Sequence, residues 1–185
     1  MNSSHENLKF VKERLQKIIS VSSQKDGIIE RFLTNRCNFS IPDEERDPVF
    51  WKILCYEIMY LWNLLGSCSQ QTIQTIIEDC KSAEENSEPI LGVSHFLMGA
   101  CFALANDYEN AIISYKKCIE SYIDNPSNHT YVPAYANYEL AVILIKHVKG
   151  DNKEEIQKLL ENAQGYKNFV FEHRLKLKVH NIKIN

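Results

Sequence analysis

At 185 residues, 44% of them apolar and 24% charged, the chain is long enough to bury a substantial core in one domain. Its net charge of −3 excludes a general nucleic-acid footprint, and no apolar run approaches the roughly 20 residues a membrane span needs. Few glycines and prolines, and few clusters of Val and Thr, favour helices throughout.

Charge is unevenly spread. From Asp43 to Glu88 ten acidic and three basic residues give −7; from Tyr166 to Asn185 five basic and one acidic give +4. Solvated helix faces account for such runs; the alternative is a basic end that meets an acidic partner, another part of the chain or a lipid surface. Residues 1–20 interleave Lys, Glu and Arg with apolar residues, unlike a signal peptide. Without a secretory signal, the sequons at Asn38 and Asn128 carry no weight. The six cysteines form no CxxC pair and read as reduced core residues of a cytoplasmic protein.

In chain order, Ser3 and Glu6 form a capping box before an amphipathic helix on Leu8, Val11, Leu15 and Ile18. Its polar face is basic, so it packs on the core or, alternatively, lies on a membrane. Asp26-Gly27 precedes a short helix on Ile28, Ile29, Phe32 and Leu33, and residues 35–48 read as a loop. Asp47-Pro48 starts a strongly apolar helix that runs to about Leu65 and stops at Gly66. Ser69 caps the next helix, whose inward residues are Ile73, Ile76, Ile77 and Cys80. These two helices form a degenerate hairpin, followed by an acidic loop from Ser82 to Pro89.

Residues 92–121 hold the clearest pattern. Met98, Phe102 and Ala105 repeat at helical spacing, then Asn106-Asp107-Tyr108 makes a turn, then Ala111, Tyr115, Cys118 and Ile119 repeat again. Gly99 and Ala111 are the small residues that let two helix backbones approach. This is the arrangement of a tetratricopeptide repeat. A looser second repeat follows a connector from Asp124 to Pro133: one helix from about Ala134 to His147, a turn at Gly150-Asp151, and a helix from Lys153 to Gly165. Its Ala141 matches Gly99 and its Ala163 matches Cys118. A single helical pair cannot bury its apolar face alone, so the pairs must stack and be capped. The segment Phe169 to Ile184 suits the cap. The expected fold is therefore all-α, an antiparallel helical-hairpin stack, or α-α superhelix, with a C-terminal capping helix. The expected segments are 1–46, N-terminal helices and loop; 47–88, degenerate hairpin; and 89–185, two repeats plus the cap.

An ordered set of short motifs adds a family resemblance. Tyr56-Glu57 with Tyr60-Leu61-Trp62-Asn63 comes first, then His95-x-x-Met98-Gly99-x-Cys101, then Tyr131-Val132-Pro133 with Tyr138-Glu139-Leu140. Leu160-Glu161-x-Ala163, Tyr166-Lys167-Asn168 and Glu172-x-Arg174-Leu175 through Val179-His180 complete it. The set resembles the C-terminal part of the tetratricopeptide repeat protein 39 family, of the inclusion-body-clearance or outer-mitochondrial-membrane type. It covers Tyr56 to His180, with a weaker echo from Phe32 to Pro48. Family members carry a large helical part before this region, so the chain resembles a short form, a fragment or a divergent member. The resemblance implies action through protein contacts, no enzymatic activity, and links to mitochondria and lipid droplets.

No motif for catalysis or cofactor binding is present: no GxSxG, P-loop, GxGxxG, HExxH or CxxC. His173 and His180 lie seven apart without a third ligand at a usual spacing, so no metal site is assigned. His95 reads as a packing residue rather than the base for Cys101 or Cys118. The expected function is a non-catalytic protein–protein interaction module that binds a protein partner and no nucleic acid. The alternatives are a peripheral factor at a lipid-droplet, mitochondrial or other anionic membrane surface, and an unrecognised enzyme. The first helices of the pairs should line the concave face, with Val93, Phe96, Ala100, Ala103 and Leu104 followed by Tyr135, Tyr138, Val142 and Ile145. These positions are apolar, which excludes a Lys, Arg and Asn clamp for a terminal carboxylate. Either the chain's own helices, the first among them, fill the groove, or a partner helix does. Tyr135 and Tyr138 are the best contacts for a partner. Glu139, in an apolar helix, either pairs with Arg174 to dock the last helix or points to solvent.

Overall fold

Among the described residues of the computed structural model (10, 13–21, 27–40, 48–86, 90–124, 131–148, 150 and 152–182) the regular structure is helical throughout. The chain divides into two compact units, Met1–Arg46 and Asp47–Asn185. The first holds α1, helical over residues 13–21, and α2, Ile28–Ser40. The second holds α3 (Pro48–Leu61), a 3₁₀ turn (Leu65–Ser67), α4 (Gln70–Asn86), α5 (Leu91–Leu104) and α6 (Tyr108–Asp124). It continues with α7 (Tyr131–His147), α8 (Lys153–Gly165) and α9 (Glu172–His180). The expected caps at Ser3, Asp26 and Asp47, and most of the 124–133 connector, lie outside the described residues.

In the second unit each helix packs on the next, and α3, α5, α7 and α9 also pack in succession. They form one layer, and α4, α6 and α8 alternate with them. In the first unit, Phe32, Arg36 and Cys37 are buried on α2. This continuous face explains why α2 runs on to Ser40 where a loop from residue 35 was expected. Ala83 likewise extends the buried stripe of Ile76 and Cys80, so α4 continues to Asn86 through part of the expected acidic loop. Pro133 falls in the first turn of α7, where its missing N–H loses no helical bond. The helix can therefore begin at Tyr131 rather than Ala134.

Asparagine, not glycine, ends two helices. Asn63 and Asn106 have φ of 58° and 61°. Leu64 N–H donates to the Met59 carbonyl at 2.8 Å and Asp107 N–H to that of Phe102 at 2.9 Å. These are the six-to-one bonds of the Schellman motif, which needs a left-handed residue one place earlier. The stop of α3 is thus Asn63, and Gly66 lies beyond it in the 3₁₀ turn. Ser69 caps α4 as expected, its Oγ accepting from Thr72 N–H at 3.1 Å. Asp107 caps α6 in the same way, accepting from Asn110 N–H at 3.2 Å. The last helix is shorter than expected. Asn168 takes a φ of 64°, and its N–H donates to the Glu172 carboxylate at 2.8 Å, which sets the start of α9 at Glu172.

The α5–α6 hairpin is closed by two glycines facing two tyrosines. A Cβ on Gly99 would lie 2.7 Å from ring atoms of Tyr115, and one on Gly92 would lie 2.3 Å from Tyr122. Seven residues forward on α5 correspond to seven back on α6, as antiparallel helices require. Ala111 is fully buried on the same hairpin. The close approach expected at Gly99 is therefore made by an aromatic ring seated against the bare backbone.

Candidate functional site

In the layer of α3, α5, α7 and α9, where either the chain's own helices or a partner helix was expected to fill an apolar groove, side chains close over much of the surface. Residues 93–101 of α5 are buried without a break. Phe96 is one of them, packed edge-on to Tyr60 with ring centroids 4.6 Å apart. Tyr135 is only 1% exposed, so it is not the partner contact that its polar tip suggested. It sits among Tyr60 and Tyr131, centroids 6.3 and 6.4 Å away. Ala100 is buried too, while Leu104, at 44% exposure, lies past the closed part.

The closure is polar as well as aromatic. Tyr60 on α3 donates to Glu139 on α7 at 2.8 Å, and Tyr131 on α7 donates to the buried Glu57 on α3. The two helices run in the same direction and exchange these bonds reciprocally. Burial, followed by the charge of Glu139, pushes the Tyr60 hydroxyl well above its ordinary value, so it stays a proton donor. A third bond of this kind joins α3 to α4: Tyr56 donates to Asp79 at 2.6 Å, beside a Lys52–Asp79 ion pair at 2.7 Å.

The last helix docks onto both. Glu139 pairs with Lys178 at 3.5 Å, not with Arg174. Arg174 instead donates to the Leu61 carbonyl at 2.6 Å and to Asn63 Oδ1 at 3.1 Å. Its guanidinium meets the carbonyl end of α3, where the helix dipole favours a cation. Phe171, just before α9, meets Trp62 edge-on at 6.3 Å. Docking through Glu139 therefore occurs, but one turn further along α9 than the Arg174 pairing required.

An open cleft of about 670 Å³ remains between α7 and α9. From α7 it is lined by Tyr138, Val142, Ile145 and Lys146, and from α9 and its end by Lys178, Asn181 and Ile182. The apolar positions on α7 follow helical spacing and include the expected Tyr138 and Val142. The two lysines and Asn181 were not expected, because two of the three come from the capping helix. Lys178 also lies over the rings of Tyr138 and Tyr135, at 5.1 and 5.6 Å. On the other side of Lys178 a second cleft, of about 340 Å³, reaches Ala100, Ala103 and Leu104.

Outside the clefts, His95 is buried with Nδ1 2.8 Å from Glu84 Oε1, close but not aligned as a hydrogen bond. Burial lowers its pKa; Glu84 on α4 opposes that shift, and Lys117 on α6 adds to it. A histidine held neutral contributes stability that is full above its unfolded pKa and lost as pH falls below it. Denaturation in urea at pH 7.5 and 5.5 should therefore show a larger loss on acidification in the native chain than in His95→Gln. Equal losses would rule out the buried neutral imidazole.

Burial also raises the nearby thiols, Cys101 to about 12, and Cys80 and Cys118 as well. Thiols so held are not nucleophiles at neutral pH. Among the described residues no group of three His, Cys, Asp or Glu is placed to hold a metal, and no helix is long and apolar enough to cross a membrane. No family model matches the chain, and no solved structure matches it.

Proposed function

We propose that the chain is a non-catalytic protein-interaction module of the tetratricopeptide type, related to the C-terminal part of the tetratricopeptide repeat protein 39 family. The alternation of two helical layers supports the repeat reading, as does the small-residue contact at Gly99. The observation that carries the functional reading is the α7–α9 cleft, which stays open where much of the layer is closed and is about twice the volume of the cleft beside it. Its volume falls in the range of ligand clefts, and its apolar walls carry a few polar groups as such clefts do, which supports the reading. Action as a cytoplasmic scaffold follows from that reading, with attachment at a mitochondrial or lipid-droplet surface through a bound partner.

The test is a site-dependent crosslink. A photoreactive benzoylphenylalanine at Val142 should yield a discrete partner adduct in cells. The same residue at Ile113, exposed on α6 in the other layer, should not. Identical adducts at both positions, or none at Val142, would remove the cleft from the reading.

A further inference from the structure

We propose that the α7–α9 cleft takes an acidic amphipathic helix from a partner protein, with carboxylates about two turns apart on either side of an apolar stripe. The inference rests on the interaction-module reading and specifies its partner. The walls fix the shape. Tyr138, Val142 and Ile145 make one stripe along α7, and Ile182 faces it from the end of α9. A helix presenting apolar residues at i, i+4 and i+7 matches such a stripe.

The cations fix the charge. Lys178 is anchored at the Tyr138 end, 3.5 Å from Glu139 and over the Tyr138 ring. Glu139 takes up only part of its capacity, since an ammonium carries three donors. Lys146 lines the other end and is exposed, eight residues beyond Tyr138. At 1.5 Å per residue that separation is about 12 Å along α7. Lys178 at the Tyr138 end and the exposed Lys146 at the other end complement two carboxylates about eight residues apart on a helix. A flat membrane surface cannot enter a trough between two helices in this way.

The probe is a fluorescein-labelled helical peptide with three leucines on one face and a glutamate just outside each end of that stripe. A companion peptide carries lysines in place of the glutamates. Fluorescence anisotropy with the full chain should show the acidic peptide binding and the lysine peptide binding at least tenfold more weakly. Lys146→Glu should weaken the acidic peptide about fivefold to tenfold and strengthen the lysine peptide by a similar factor. Val142→Asp should abolish both, and circular dichroism should show each variant folded. If both peptides bind alike and Val142→Asp removes both, the cleft is a docking site but the charge inference falls. If neither binds, both the inference and the assignment of this cleft fall. Displacement of the peptide by phosphatidylserine vesicles would assign the cleft to a lipid surface, and a chain dimer lost in Lys146→Glu would assign it to a second copy. Either result overturns the proposal.

Discussion

Gly99→Ala should lower the stability of the chain by up to about 2 kcal/mol, although alanine is the better helix former. Overpacking a filled core costs about 1–3 kcal/mol, and the gain in helix propensity returns about 1 kcal/mol. The geometry decides the sign. The added methyl would meet Tyr115 at its ring carbons, including Cγ at 2.9 Å, the ring carbon bonded to Cβ and so the least free to move. Tyr115 is buried and has Phe96 beside it with centroids 6.0 Å apart, so it cannot swing aside. Gly92→Ala is the control. Its clash falls mainly on the far edge of Tyr122, which is partly exposed rather than fully buried like Tyr115. That variant should stay within about 1 kcal/mol of the native chain. Thermal unfolding should separate the two by several degrees. If Gly99→Ala proves as stable as Gly92→Ala, the tight seat of Tyr115 is not a feature of the folded chain.

Removing both reciprocal hydroxyls should be more damaging. Tyr60→Phe and Tyr131→Phe each take a donor away from a carboxylate, and hydrogen bonds to charged groups contribute about 1.5–3 kcal/mol. Glu57 is 1% exposed, so losing its Tyr131 bond belongs at the upper end of that range. Together the changes should cost about 3–5 kcal/mol, with some coupling because both bonds cross the same helix pair. The informative readout is local. With α3 and α7 no longer tied across it, α5 should lose hydrogen-exchange protection over residues 93–101 more than α8 does. Uniform loss across all helices would mean that the bonds stabilise the unit without closing it.

The elements of the second unit were largely legible in the sequence, because the signals that place them are local. Pro48, Ser69 and Asn106-Asp107 each act within a few residues, and the Gly99 to Tyr115 pattern lies within one hairpin. What periodicity missed was reach. Glu57 lies 74 residues from Tyr131, and Glu139 lies 79 from Tyr60. No spacing rule pairs side chains at such separations. A signal for Glu57 was present: it stands one turn from Ile53 and one turn from Leu61, inside a buried stripe. A carboxylate there demands a donor, although the sequence does not say which. The cleft was half legible for a related reason. Tyr138 and Val142 follow from the α7 pattern, but Lys178 and Asn181 enter only because α9 docks alongside α7. Arg174 was the nearer guess for Glu139, and Lys178, one turn on, proved to be its partner.

Repeat arrays commonly tolerate gain or loss of a whole hairpin, since each unit touches only its neighbours. The Tyr60–Glu139 and Glu57–Tyr131 exchange removes that freedom here. Duplicating α5 and α6 would part these donors from their acceptors in the interior. Deleting that hairpin would leave them with nothing to bridge. The number of helices between α3 and α7 is thus tied to these two bonds.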